Sequence, residues 1–174
     1  MIPDLKSKPK IVIDASFWIN IVYLGLEKYL IKYFEVYFVS KVEEEILDES
    51  DYKIYDSEDM EIYSRLKDRG LITIKDPQNF LTKLFDNLQA NSGELYSVAL
   101  AIDENMIIAT DDKGPIEYCI QNNVKFINSV HFCLYLYNKK EINFEETQKY
   151  FNLLTNKIKQ KYIDEGRYYL KNKK

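Results

Sequence analysis

Short runs of branched apolar residues recur along the chain, separated by longer stretches in which apolar residues follow a helical period. Apart from Thr73 and Lys125, the residues within each run are apolar without a break, which is typical of strands buried on both faces of a parallel sheet. The pattern predicts an α/β protein, a three-layer α/β/α sandwich around a central, mainly parallel sheet of roughly four to five strands. The predicted strands are Ile11–Ile13, Val36–Val39, Leu71–Ile74, Met106–Ala109 and Val124–Ile127.

The stretches between these runs have the periodicity of amphipathic helices. The segment from Ser16 to about Lys32 predicts one helix, and Ser92 is a suitable N-cap for another that continues toward Ile102. Gly114-Pro115 places proline in the first turn of a further helix, where its missing N–H is not needed.

The end of the chain has an amphipathic pattern of its own, from Phe144 to Tyr169, which predicts helices appended to the sheet. We therefore expect a main domain over 1–138 and a helical extension over 139–174 that packs on the same domain. Between Lys157 and Lys174 there are seven basic residues and two acidic ones. Such a segment contacts a phosphate backbone or an acidic partner, or is simply a solvated helix end.

The composition of the chain excludes several classes of protein and of site. The 174 residues are 46% hydrophobic and 30% charged with a net charge of −4, which excludes a disordered chain and disfavours a protein that coats nucleic acid. No apolar run reaches the roughly 18 residues of a membrane span, and the N-terminus lacks a signal-peptide core, so we expect a cytoplasmic protein without a membrane partner. Two cysteines and one histidine make no zinc set. We expect that histidine, His131, to be a packed structural residue.

Acidic residues follow two of the predicted strands. Asp14 ends the first, and Asp111 and Asp112 come after Thr110 at the end of the fourth. Ligands of open α/β sheets bind beyond the carboxyl ends of the strands. If these strands are neighbours, the carboxylates meet, and their like charges favour a cation, for which Mg²⁺ or Mn²⁺ suits an oxygen-only set. At any one position, an aspartate that forms a turn or caps a helix is the ordinary alternative.

Two further glutamates are candidates for the same cluster. Glu94 opens a helix and points along its buried side, although a first-turn glutamate also complements the helix dipole. Glu43 and Glu45 flank the core face defined by Val42 and Ile46, on opposite sides. Periodicity does not choose between Glu43 and Glu45.

Four motifs occur together in the order VIDASFWIN, a helical Glu45 before Ile46, SGELYSVALA and IIATDD. Together they resemble PIN-domain proteins, especially small prokaryotic members with an asparagine in the first helix and a Gly-Glu pair. The similarity extends from about Ile11 to Leu136, so the resemblance makes 1–138 a PIN-like domain. It implies a parallel sheet flanked by helices and a ribonuclease that depends on Mg²⁺ or Mn²⁺.

The resemblance also implies roles for individual residues. It makes Glu45, not Glu43, the glutamate of the second helix, and it favours Asp112 over Asp111 as the closer metal ligand. The implied metal ligands are Asp14, Glu94, Asp111 and Asp112, with Glu45 completing the catalytic set. The implied supporting residues are Ser16, Asn20 and Thr110. Ser16 is expected to hydrogen-bond Asp14, and Asn20 is expected to have a structural or substrate-orienting role.

We therefore expect an endoribonuclease that hydrolyses single-stranded RNA through a metal-activated water, with substrate contacts from Lys113, Arg167 and Lys171. Some family members are toxins neutralised by a small antitoxin protein, and many form homodimers, so both partners are expectations here. The alternative is a catalytically weak or inactive PIN-like module that binds RNA or protein. A phosphotransfer enzyme with Asp14 as nucleophile is disfavoured, because Ser16 stands where haloacid-dehalogenase-like enzymes have a second acid.

The chain departs from the family pattern at three places. Gly114-Pro115 follows Lys113 where relatives begin a helix, Ser40 stands where they often have proline, and Asn128-Ser129 replaces a Gly-Thr pair. These differences lie around the expected site, so they predict altered substrate contacts.

Overall fold

A computed structural model describes residues 7–48, 58–79 and 92–173. Over these ranges the chain forms a single parallel sheet of five strands in the order β3-β2-β1-β4-β5. The predicted α/β architecture with a central parallel sheet is confirmed, and it matches a three-layer α/β/α sandwich. The strands are β1 (Lys10–Ile13), β2 (Glu35–Phe38), β3 (Ile72–Ile74), β4 (Ile107–Ala109) and β5 (Phe126–Ile127).

Strand β1 lies at the centre of the sheet. Val12 aligns with Tyr37 of β2 on one side and with Ile108 of β4 on the other. Ile11, Val12 and Ile13 are fully buried, which is the reason for their unbroken apolar run.

The helices connect and cover these strands. Nine are formed within the described ranges: α1 (Ala15–Tyr23), α2 (Glu27–Tyr33), α3 (Ser40–Leu47), α4 (Glu58–Asp68), α5 (Ser92–Asp103), α6 (Lys113–Asn122), α7 (Ser129–Asn138), α8 (Phe144–Leu154) and α9 (Gln160–Asn172). None of those described is long and apolar enough to cross a bilayer.

The single helix expected from Ser16 to about Lys32 is wrong, because the chain breaks between α1 and α2. Gly25 has a φ of +67°, its N–H donates to the Val22 carbonyl at 2.8 Å, and the Leu26 N–H donates to Ile21 at 3.0 Å. This pair of bonds ends the helix in a Schellman motif, for which glycine is the favoured residue. Apolar periodicity missed the break because Leu26 is itself buried.

Helix α1 carries two of the expected site residues, Ser16 and Asn20, and its buried face fixes its position. Phe17, Trp18 and Ile21 are almost fully buried, and the Trp18 indole N–H donates to the Asp59 carbonyl of α4 at 3.2 Å. The Trp18 ring also packs edge-on against Phe38 of β2, with ring centroids 5.5 Å apart. Ser16 and Asn20 of the same helix contact Asp111 in the segment that follows β4.

The C-terminal helix packs closely on its predecessors. At Gly166 of α9, an added methyl group would lie 2.7 Å from Val130 Cγ1 of α7 and 2.9 Å from Phe151 Cζ of α8. Tyr162 packs on the His131 ring at a centroid distance of 6.2 Å. The division at 1–138 and 139–174 stays a prediction, but α9 contacts helices on both sides of that boundary.

His131 has the packed structural role expected of it. Its main-chain N–H donates to Asn128 Oδ1 at 2.8 Å, and its Nδ1 accepts the Asn128 N–H at 3.4 Å, which together form the capping box of α7. Burial lowers the pKa of the ring. The histidine therefore stabilises a helix start.

Candidate active site

The expected acidic residues lie at the point where the winding of the sheet reverses. Strands β1 and β4 are neighbours, although β2 and β3 come between them in the chain. The Asp14 N–H donates to the Ala109 carbonyl at 3.0 Å, and the Thr110 N–H donates to Ile127 at 3.1 Å. The carboxyl ends of β1 and β4 thus lie side by side, an adjacency that the sequence left open, and this is where open α/β sheets bind ligands.

Asp14 is the buried centre of the group, with 1% of its surface exposed. One carboxylate oxygen accepts the Ala15 N–H at 2.9 Å and so caps α1. The other accepts the hydroxyl of Thr110 at 2.8 Å and that of Ser16 at 3.4 Å. Burial raises the pKa of Asp14 well above its usual range, the Thr110 bond opposes this, and the charges of Asp112 and Glu94 raise it further.

Two hydroxyl groups connect Asp14 to the segment that follows β4. The Asp111 N–H donates to Ser16 Oγ, and the Asp112 N–H donates to Thr110 Oγ1, both at 3.2 Å. Because an amide N–H can only donate, each hydroxyl oxygen accepts that bond and directs its own hydrogen to Asp14 Oδ2. The structure thus gives Ser16 and Thr110 contacts that suit an ionised Asp14.

Asp111 is held by other residues. Its Oδ2 accepts from Asn20 Nδ2 at 2.8 Å and from Ser129 Oγ at 2.5 Å, and its Oδ1 accepts the Ser129 N–H at 2.8 Å. Burial raises the pKa of Asp111, and these three bonds oppose that rise. Three acceptor positions of this carboxylate are occupied by α1 and α7, which favours a positioning role over the predicted metal-ligand role.

Ser129 belongs to the site because it hydrogen-bonds Asp111, although from the sequence it was only a departure from the family pattern. It is fully buried at the first position of α7, directly after β5, the strand that pairs with β4. The sequence signal available for Ser129 was a hydroxyl residue just after a predicted strand. Its hydrogen-bond partner could not be predicted, because that depends on the order of the strands, which periodicity does not give.

Asp112 faces the other carboxylates. It is half-buried at the N-cap position of α6. Its negative charge raises the pKa of Asp14 on one side and of Glu45 on the other. Of the acidic pair after β4, Asp112 is therefore the one that acts on both neighbouring carboxylates.

Tertiary contacts distinguish Glu43 from Glu45 in α3. Glu43 accepts from Lys67 Nζ and from the Tyr63 hydroxyl, both in α4. Glu45 instead accepts the Gly93 N–H in the first turn of α5, and desolvation of its carboxyl group raises its pKa although the residue as a whole is exposed. The structure therefore places Glu45 with the acidic group and Glu43 in an ion pair.

Glu94 follows Gly93 in the same helical turn. It is half-buried, and its charge contributes to the raised pKa of Asp14. Carboxylates from four separate stretches of chain thus act on one another at the β1–β4 edge. These four are Asp14, Glu45, Glu94 and Asp112.

The chemistry of this donor set fits Mg²⁺ or Mn²⁺, since both ions prefer carboxylate oxygens. The acidic side chains are farther apart than the ligands of a bound metal ion. Across 7–48, 58–79 and 92–173, no three acidic, histidine or cysteine side chains are grouped closely enough to hold one ion as they stand. Binding an ion here therefore requires the carboxylates to move toward it, and the ion would offset their mutual repulsion.

The three predicted substrate contacts are dispersed. Lys113 follows Asp112 directly and lies 3.8 Å from the Glu117 carboxylate. Arg167 in α9 donates to Asn152 Oδ1 of α8 at 2.8 Å, and Lys171 is exposed in the last turn of α9. Lys113 thus adjoins the acidic group, whereas substrate roles for Arg167 and Lys171 stay predictions.

Comparison of the chain with known proteins finds no matching family model and no matching curated protein. Membership of the PIN-domain family therefore stays a prediction from the motifs.

Proposed function

We propose that the protein is a Mg²⁺- or Mn²⁺-dependent endoribonuclease of the PIN-domain type that hydrolyses phosphodiester bonds in single-stranded RNA. One observation carries the proposal: Asp14 is buried at the β1–β4 switch point, where desolvation raises its pKa and the charges of Asp112 and Glu94 raise it further. Carboxylates that destabilise one another's charged forms are a place where a divalent cation binds favourably.

The residues proposed to hold the ion are Asp14, Glu94 and Asp112. When bound, Mg²⁺ or Mn²⁺ acidifies a water molecule and neutralises charge on the phosphate. Thr110 and Ser16 keep the Asp14 carboxylate oriented, and Asp111 holds the segment after β4 against α1 and α7. Glu45, with its raised pKa, is suited to accept a proton or to orient the attacking water.

The RNA substrate and the protein partners belong to the same proposal. Lys113 is next to Asp112 and is placed to contact a phosphate, and the basic segment from Lys157 to Lys174 offers a second contact. A toxin-type member would also bind an antitoxin protein, and a second copy of the chain is a further proposed partner. We place the protein in the cytoplasm, in keeping with two unpaired buried cysteines, Cys119 and Cys133.

The proposal is tested by incubating purified protein with labelled single-stranded RNA and Mn²⁺ or Mg²⁺. We expect cleavage that EDTA abolishes and that Asp14→Asn reduces by at least about 100-fold, a size common for loss of one catalytic group. Glu45→Gln should also reduce cleavage. Its matched control is Glu43→Gln on the same helix, which should cleave like the wild type because Glu43 pairs with Lys67. Cleavage that survives Asp14→Asn or EDTA would identify a contaminant and refute the proposal.

The second candidate is a PIN-like module that binds RNA or protein without cutting. It is favoured by the wide spacing of the acidic side chains, since no three of them within the described ranges are grouped to hold an ion. Thermal melts in millimolar Mn²⁺ distinguish the two, because a ligand that binds only the folded state raises Tm. A clear rise that Asp14→Asn abolishes supports the nuclease, and an unchanged Tm supports the binding module.

A further inference from the structure

We propose that Gly93 is a positioning residue for Glu45: its missing side chain leaves the space in which the Glu45 carboxylate lies on the first turn of α5. The consequence for catalysis rests on the proposed function, whereas the contact itself does not. Gly93 touches no reacting atom in this proposal and acts through Glu45 alone.

A side chain at position 93 would occupy the space of the Glu45 carboxylate. A methyl group added to Gly93 would lie 2.9 Å from Glu45 Cδ and 3.1 Å from Oε2, and nearer still to Oε1. Ordinary van der Waals contacts of a Cβ begin at 3.4 Å. The Gly93 N–H also donates to this carboxylate. Backbone and carboxylate are thus in direct contact, and any larger residue would push Glu45 away.

The backbone conformation gives no other reason for glycine here. Gly93 is the second residue of α5, and glycine within a helix is disfavoured relative to alanine. Gly25 and Gly70, by contrast, have φ values of +67° and +65°, where glycine is required by the turn. The close approach of Glu45 is the feature that explains a glycine at position 93.

The first turn of α5 positions two members of the acidic group. Gly93 holds Glu45, which comes from α3, and the next residue is Glu94, whose charge acts on Asp14. Displacing Glu45 would also move it relative to Asp112, the neighbour whose charge raises its pKa. Gly93 therefore determines the position of the Glu45 carboxylate within the acidic group.

The contact is tested by thermal melts of the metal-free protein. In a Glu45→Ala background the space is vacated, so Gly93→Ala should show the usual benefit of alanine in a helix and raise Tm by about 2–4 °C. With Glu45 present, this gain in Tm should be smaller or absent, because the Glu45 carboxylate must move and its bond to the Gly93 N–H is disturbed. A Glu43→Ala background is the matched control, because Glu43 contacts Lys67 and Tyr63 instead, and there the effect of Gly93→Ala on Tm should be the same as in the wild type. Should Gly93→Ala alone fail to fold, recovery of folding in the double variant carries the same conclusion.

The positioning role has its own measurement. Gly93→Ala should lower kcat for RNA cleavage about tenfold with a smaller change in KM, a loss of about 1.4 kcal/mol of transition-state stabilisation. Adding Glu45→Asp, which withdraws the carboxylate by one methylene, should restore part of the rate and of the Tm.

The outcomes separate this inference from the proposed function. If the effect of Gly93→Ala on Tm depends on Glu45 but the wild type does not cleave RNA, the contact is established and the proposed nuclease function is wrong. A Gly93→Ala change that raises Tm equally with and without Glu45 would overturn the inference, whatever the cleavage assay shows.

Discussion

The Thr110 hydroxyl donates to the buried carboxylate of Asp14 at 2.8 Å, across the two neighbouring strands β1 and β4. The same hydroxyl oxygen accepts the Asp112 N–H at 3.2 Å, so one side chain links two members of the acidic group. Thr110 is fully buried, and its bond is the largest influence opposing the rise in the Asp14 pKa.

Replacing Thr110 by valine tests this link. Thr110→Val keeps the shape but removes the hydroxyl, which leaves the Asp112 N–H without its acceptor and raises the Asp14 pKa further. We expect a loss of about 1–3 kcal/mol in unfolding free energy and weaker Mn²⁺ binding at neutral pH. Chemical denaturation and a Mn²⁺ titration measure the two effects. Thr110→Ser, which retains the hydroxyl, should lose much less, and equal losses in both variants would show that the hydroxyl is unimportant.

Asp14 predicts a pH dependence of stability in the metal-free protein. Its pKa is higher in the folded than in the unfolded chain, so the folded state binds the proton more tightly and Asp14 contributes more stability as pH falls. The unfavourable contribution is greatest at neutral pH and disappears toward about pH 3.9, the usual aspartate pKa. We therefore expect the stability difference between Asp14→Asn and wild type to shift in favour of the variant as pH rises from 4 to 7.

Denaturation curves at several pH values check this expectation. Asp164→Asn is the control, because Asp164 is exposed on α9 and its carboxylate accepts from Gln160 there. A stability difference between Asp14→Asn and wild type that is independent of pH would contradict the raised pKa.

The acidic pair after β4 should separate into two roles. Asp111 is bonded to Asn20 and Ser129, so Asp111→Asn should cost about 1–3 kcal/mol of stability, because an amide cannot accept all three bonds. Asp112→Asn should change stability little and weaken Mn²⁺ binding about tenfold or more. Melts and Mn²⁺ titrations of both variants decide the matter. The reverse pattern would make Asp111 the ligand.

The C-terminal helix should be an integral part of the structure. Gly166→Ala places a methyl group 2.7 Å from Val130 Cγ1, so we expect a loss of about 1–3 kcal/mol despite the higher helix propensity of alanine. Denaturation measures the loss. Adding Val130→Ala should recover part of it by making space, and additive losses would show that α9 is not packed on α7 as described.

Several features were predictable because they depend on local pattern. The run Ile11–Ile13 is apolar at each position since both faces of β1 are buried, and Asp14 follows it because the strand ends there. Parallel neighbours then bring the end of β4 to the same edge. The break at Gly25 escaped prediction because buried leucines on both sides continue the helical period.

The finer assignments depend on contacts between distant parts of the chain. Glu43 and Glu45 are equivalent by periodicity, and the partners Lys67 and Gly93 distinguish them. Asp111 is separated from its partner Asn20 by 91 positions. The predicted metal-ligand role of Asp111 came from the resemblance, whereas its three hydrogen bonds to Asn20 and Ser129 follow from the packing of α1 and α7.

The central claim is that Asp14, Glu94 and Asp112, which come from three separate stretches of chain, bind one divalent cation. The most direct measurement is the anomalous difference map of a crystal soaked in Mn²⁺. The account predicts a peak within coordination distance of Asp14 and Asp112, with Glu94 drawn toward it, and no such peak in crystals of Asp14→Asn. A well-ordered site with no Mn²⁺ density between these side chains would contradict it.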